Sequence, residues 1–223
     1  MNKEQTLSKV TFSNLPPEKR EKIVAAAVNE FARHGYRKAS INTIVRSAGI
    51  AKGSLYQYFH NKEELFVYIF DLFTRLVKKT VRETEAGGGN DFFSQVRRVL
   101  LAGVAFIDRY PDFFQIYLRV LFEQDVPGRE QLLVRVRLFS REYFGPLCRA
   151  GQESGALRRD IAPEVVLFVL DAALDRFLQS YAQGILDREL GAGRGDGAGL
   201  LARVDMILQV LQEGLAGSAA SHY

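Results

Sequence analysis

The chain has 223 residues, 47% of them hydrophobic, so it can bury a substantial core as one large domain or two smaller ones. A single cysteine, Cys148, excludes an internal disulfide, and His34, His60 and His222 lack the spacing of metal ligands, so neither a metal nor a cofactor is expected. Residues 1–62 hold eleven lysines and arginines against four glutamates, a net +7; the whole chain is +4, which leaves −3 on the other 161 residues and puts the positive potential at the N-terminal end.

Residues 1–15 lack periodicity and read as a mobile arm, although Lys3 and Lys9 are available for DNA. Pro16-Pro17 opens a first helix, in which Glu18 and Glu21 suit the positive end of the dipole. Ile23, Ala27 and Phe31 share one face, and the helix is expected to end at His34-Gly35.

Ser40 to Lys62, SINTIVRSAGIAKGSLYQYFHNK, then splits into two short helical patterns. Ser40 is a good N-cap, Ile41, Ile44 and Val45 give an apolar face, and Gly49 accepts the left-handed backbone that stops the helix. In Ala51 to Phe59 the anchors are Leu55 and Phe59, four apart, which leaves Lys52, Ser54, Tyr56, Gln57 and Tyr58 to face outward. Two such helices around a small turn form a helix-turn-helix, whose second member enters the major groove of DNA.

The run from Phe31 to Leu65 contains Gly35-Tyr36, Ala39-Ser40, Ile44, Ala48-Gly49, Lys52-Gly53, Leu55-Tyr56, Phe59 and Lys62 in order. It resembles the N-terminal DNA-binding domain of the TetR family of transcriptional repressors. The resemblance covers roughly the first third of the chain. It implies a helical ligand-binding and dimerisation domain beyond, a part that varies among members and names no ligand by analogy. It also implies DNA contact from Lys52, Ser54, Tyr56, Gln57 and Tyr58, close backbone approach at Gly53, and phosphate binding by Thr43 and Lys62. Gln57 has the groups to read adenine bidentately. Two positions depart from the family pattern: Ala51 stands where Ser or Thr is common, removing a capping or phosphate hydroxyl, and Tyr58 replaces a common His.

Asn61 and Glu64 read as a capping pair for the next helix, whose Leu65, Phe66, Ile69, Phe70, Leu72, Phe73, Leu76 and Val77 make an apolar surface wider than one stripe. This helix is expected to connect a DNA-binding domain, residues 1–62, with a second domain, residues 63–223. Gly87-Gly88-Gly89 ends it as a loop, since neither a preceding strand nor a following Gly-Lys-Ser/Thr makes it a phosphate cradle.

Helical periodicity continues with almost no strand signal, giving helices over 92–108, 111–123, 129–152 interrupted or bent near Gly145-Pro146, 163–183 and 200–215, about nine helices in all. Gly193 to Ala198 matches the loose form G-x-G-x-x-A, but a helix rather than a strand precedes it, so it reads as a connection. Asp171 and Asp175, four apart, fit pairing with an arginine such as Arg176 better than catalysis, and Cys148 fits buried packing. Of the aromatic residues, Phe106, Phe113, Tyr117, Tyr143, Phe144 and Phe177 are candidates to border a pocket for an apolar or aromatic effector. Val165, Val169, Ala172, Ala173 and Phe177 are the candidate dimer interface.

The expectation is therefore an all-α, ligand-responsive regulator, a homodimer that binds a near-palindromic DNA operator and is not an enzyme. No apolar run reaches the roughly 18 residues of a membrane helix, and the N-terminus lacks a leader's apolar region, so the cytoplasm is the expected compartment. The alternative is a helical small-molecule-binding protein or enzyme without DNA affinity.

Overall fold

The computed structural model describes residues 12–83, 91–184 and 197–216. Among them are nine helices and no strand: α1 (Pro17–Lys38), α2 (Ile41–Ala48), α3 (Lys52–Tyr56), α4 (Lys62–Glu83), α5 (Phe92–Arg109), α6 (Pro111–Phe122), α7 (Arg129–Glu153), α8 (Pro163–Gln183) and α9 (Gly197–Leu215). The all-α expectation holds. The β pairing seen among the described residues is one isolated antiparallel bridge, Leu157 to Ala216. No helix among them is long and apolar enough to cross a membrane. Residues 1–11, the triple glycine at 87–89 and residues 191–196 of the glycine-rich connection lie outside the described residues.

The chain divides into two compact units. One contains the described residues up to Arg75 together with Tyr110–Leu133, and the other Leu76–Arg109 together with the described residues from Val134 on.

In the first unit α1 packs on both α2 and α6. Its anchors Ile23, Ala27 and Phe31 are fully buried, as are Ile44 of α2, Leu55 of α3 and Ile69 and Phe70 of α4. Burying such side chains stabilises by roughly 1.5–3 kcal/mol each, which outweighs the weak propensity of helices as short as α2 and α3. The regular first helix stops at Gly35, as expected. Gly35 takes φ 69°, ψ 173°, which interrupts the helix, and one further turn runs to Lys38.

The arm expected over residues 1–15 is corrected at its inner end. Phe12 is fully buried, with its ring 4.9 Å from Phe59, 5.1 Å from Tyr68 and 5.6 Å from Tyr58. Arg20 holds the same segment by donating to the Ser13 carbonyl at 2.9 Å.

In the second unit α5 packs against α8 and α9. Val96, Leu100 and Ile107 are buried on one face of α5, and Leu170 of α8 and Val204 of α9 are fully buried as well. Arg97 pairs with Asp205 at 2.7 Å across α5 and α9, and the Tyr181 hydroxyl donates to Asp108 at 2.8 Å across α8 and α5. α7 runs through Gly145-Pro146 as one helix with Pro146 inside it. Asp171 accepts from the Ser140 hydroxyl at 2.8 Å and pairs with Arg137 of α7, so it has an arginine partner as expected. Cys148 is fully buried, and burial pushes its thiol up to about 11, the environment of a packed rather than a reactive cysteine.

Candidate nucleic-acid interface

The helix-turn-helix forms from local hydrogen bonds that the sequence specifies. Ser40 caps α2 by accepting from the Thr43 amide at 3.3 Å. Gly49 at φ 67°, ψ 34° closes it, with the Ile50 amide donating to the Val45 carbonyl at 3.0 Å. α3 begins at Lys52 after Ala51, which offers no side-chain cap, and its first turn is tied by the Ser54 amide on the Ala51 carbonyl at 3.0 Å. The element is shorter than the nine residues expected. After Tyr56 the chain tightens, and the amides of Tyr58 and Phe59 both donate to the Leu55 carbonyl at 3.0 Å.

Lys52, Gly53, Tyr56 and Gln57 are exposed and Ser54 is half-buried. The Lys52 ammonium lies 6.0 Å from the centre of the Tyr56 ring, so a cation and a phenol stand together on the outward side. A Cβ added at Gly53 would meet no atom within 4 Å, so nothing inside the protein requires glycine there. Tyr58 is corrected: its ring is turned inward, 8% exposed, edge-on to Phe12, because it stands three residues after Leu55, on the face that Leu55 and Phe59 bury rather than the one that holds Tyr56 and Gln57.

Lys62 is also turned from its expected place. Its ammonium donates to the carbonyls of Arg37 at 3.1 Å and Ala39 at 3.2 Å and sits 4.6 Å from the centre of the Tyr36 ring. It thus satisfies carbonyls at the end of α1, where the helix dipole favours a cation. Thr43 is half-buried on α2. The α4 cap forms as expected at Asn61, which accepts from the Glu64 amide at 2.8 Å, but the Glu64 carboxylate reaches back to the amide of His60, at 2.9 Å, one residue earlier than in a regular capping box.

Glu30 holds the helix-turn-helix to α1, a role that sequence reasoning missed. Its side chain is 9% exposed and accepts from the Ser40 amide at 2.8 Å, while His34 lies 3.9 Å away. One carboxylate therefore ties the body of α1 to the N-cap of α2. Ten residues separate Glu30 from Ser40, a spacing that belongs to no local motif.

The candidate effector residues fall in different places. Phe113 and Tyr117 lie in the first unit, where Tyr117 stacks on Phe73 at 5.6 Å. Phe106, Phe144 and Phe177 are buried in the second, and Tyr143 is half-buried with its ring 5.2 Å from Phe144. A cleft of about 330 Å³ in the second unit is lined by none of them; Leu138, Arg141, Pro146, Arg149, Glu164 and Leu167 are among its walls. Of the candidate interface residues, Val165 and Ala172 are exposed and Val169 and Ala173 half-buried. Phe177 is corrected, since at 3% exposure it belongs to the core of its own subunit. Phe168, 71% exposed, stands instead beside Val165 and Ala172 on the outer side of α8.

Comparison with known proteins matches residues 23–69 to the family of bacterial regulatory proteins described as the tetR family. A TetR family transcriptional regulator from Chloroflexus aurantiacus is 31% identical, with a TM-score of 0.71 over 92% of this chain and 97% of that one. The probable acrEF/envCD operon repressor of Escherichia coli K12 is 25% identical over 175 residues, 77% of this chain and 79% of that protein. The transcriptional regulator FadR of Bacillus subtilis, solved in complex with stearoyl-CoA, shares the fold at a TM-score of 0.69 and 16% identity, over 87% of this chain and 98% of that one. With its helix-turn-helix, the further helices among its described residues and a relative alike over nearly its whole length, the chain belongs to the TetR family of transcriptional regulators.

Proposed function

We propose that this regulator is a ligand-responsive repressor of the cytoplasm that binds a near-palindromic operator as a homodimer. The observation that carries the DNA reading is the outward face of α3, where Lys52, Gly53, Tyr56 and Gln57 are exposed while Leu55 anchors the helix beneath them. A cation, a bare backbone, a phenol and an amide on one short helix supply phosphate contact, close approach and hydrogen bonding to base edges. A five-residue helix reads only a few base pairs, so two copies on a two-fold site supply the specificity that one lacks.

The dimer reading rests on apolar side chains left uncovered on α8 and α9. Val165 and Phe168 on α8 and Met206 and Val210 on α9 are 50% to 71% exposed, although both helices are otherwise part of the packed second unit. The effector reading rests on the aromatic content of the chain beyond the helix-turn-helix, with an apolar or aromatic small molecule as its expected class. Selection of duplexes from a random pool by the purified protein tests the function. Enrichment of one inverted repeat is the expected result, and a pool that stays random after repeated rounds would remove operator binding.

A further inference from the structure

We infer that Arg119 on α6, oriented by Glu123, is a positioning residue for DNA reading that sets the seat of the helix-turn-helix by clamping the break in α1; this rests on the DNA-binding reading above. A left-handed residue inside a helix interrupts the ladder that satisfies the carbonyls of the preceding turn. Gly35 is that residue in α1, at φ 69°. Arg119 reaches the carbonyls before it with two different nitrogens: Nε donates to Ala32 at 2.7 Å and Nη2 to Arg33 at 2.6 Å. Its remaining nitrogen, Nη1, pairs with Glu123 one turn further along α6. A planar guanidinium spreads its donors over three nitrogens that match these three partners, whereas a lysine's donors all leave one nitrogen.

The two helices are also matched in shape. A Cβ at position 35 would fall 2.5 Å from Oε2 of Glu123, so the glycine supplies both the left-handed turn and the space into which the carboxylate fits. Beside it Arg37 pairs with Asp125 at 3.1 Å. α6 is held in turn by Arg129, which donates to the carbonyls of Val120 at 2.8 Å and Leu121 at 2.6 Å. The same part of α1 carries the helix-turn-helix: Glu30 holds the Ser40 amide, and Lys62 holds the Arg37 and Ala39 carbonyls. Arg119 touches neither α2 nor α3 through any of these bonds. It acts by fixing the turn to which both are tied.

The test compares wild type, Arg119→Gln and Arg119→Lys. Each is assayed against a duplex selected by the wild type and against unselected random duplex over a range of salt, with amide hydrogen exchange measured over residues 36–49. Arg119→Gln is expected to lose about tenfold or more in affinity for the selected duplex, as for a lost charge-assisted hydrogen bond. Random-duplex affinity and its salt slope should hold, because no phosphate contact is removed. Exchange should rise through residues 36–49, and Arg119→Lys should fall between the two. Equal losses on both duplexes, or an unchanged ratio between them, would overturn the assignment. If Arg119→Gln does not fold, Arg119→Lys carries the same comparison. A wild type that selects no sequence would instead remove the DNA reading. In that case the exchange measurement alone decides the clamp: raised exchange supports it and unchanged exchange ends it.

Discussion

Gly53 and Lys62 show how differently two residues of one sequence motif are used. Nothing in the protein lies within 4 Å of a Cβ added at Gly53, and its φ is not left-handed, so replacing it with alanine removes a helix-weakening glycine at no steric cost. Gly53→Ala is expected to leave the melting temperature unchanged or slightly raised while weakening operator binding, as measured by thermal unfolding and gel shift side by side. Undiminished affinity would show that the α3 backbone does not approach DNA closely. Lys62 is the converse case, since its ammonium is engaged by two carbonyls at the end of α1. Lys62→Ala should lower stability by about 1 kcal/mol, in the range of partly exposed charge-assisted hydrogen bonds. The slope of log affinity against log salt should not change. A slope reduced by about one contact would restore Lys62 to the phosphate set.

Among the elements, α3 depends most on its surroundings, because five residues cannot hold a helix by propensity. Its far end is held by Phe12, whose ring fills the space among Tyr58, Phe59 and Tyr68. Phe12→Ala removes a fully buried ring and should cost about 3 kcal/mol in chemical denaturation, the usual scale for a truncated core phenylalanine. A Phe12→Ala protein as stable as wild type would mean that the aromatic cluster closes without it. The cap and stop signals of α2 were legible because they act within a few residues: Ser40 with Thr43, Gly49 with Arg46 and Val45. The inward turn of Tyr58 agrees with its place three residues after Leu55 on one helix face, but its partner Phe12 lies far off in sequence, and no local pattern names it.

For the whole molecule, the division into two units places α6 with the helix-turn-helix although about fifty residues separate α4's N-terminus from α6 in sequence. The second unit carries most of the large uncovered apolar side chains, although Phe122 of the first is 62% exposed. Phe168, 71% exposed, stands near Val165 and Ala172 at spacings of three and four along α8, which is one helix face. Phe168→Arg puts a charge on that face without disturbing the core, and sedimentation at micromolar concentration should report the 25.1 kDa mass of one chain rather than twice that value. A variant that still sediments as a dimer would move the interface off this face. Phe177, buried in its own subunit, is unsuited to the same test because its replacement would unfold what it is meant to dissociate.

The amino-acid sequence by itself determined the helical class, the order and approximate limits of the helices, the helix-turn-helix and the family. Those features rest on period, caps and spacing, all of which act over one or two turns of chain. Tertiary structure alone decided that Glu30 holds Ser40, that Arg119 and Glu123 meet α1 at Gly35, that Phe12 is core, and that Asp171 pairs with Arg137. Arg119 and Glu123 stand more than eighty residues from the carbonyls and glycine they serve, and no local pattern encodes a contact that only packing of α6 on α1 creates. The same reason governs exposure on α8. Its apolar residues encircle the helix, so periodicity could not choose Phe168 over Phe177 for the surface, and packing against α5 made that choice.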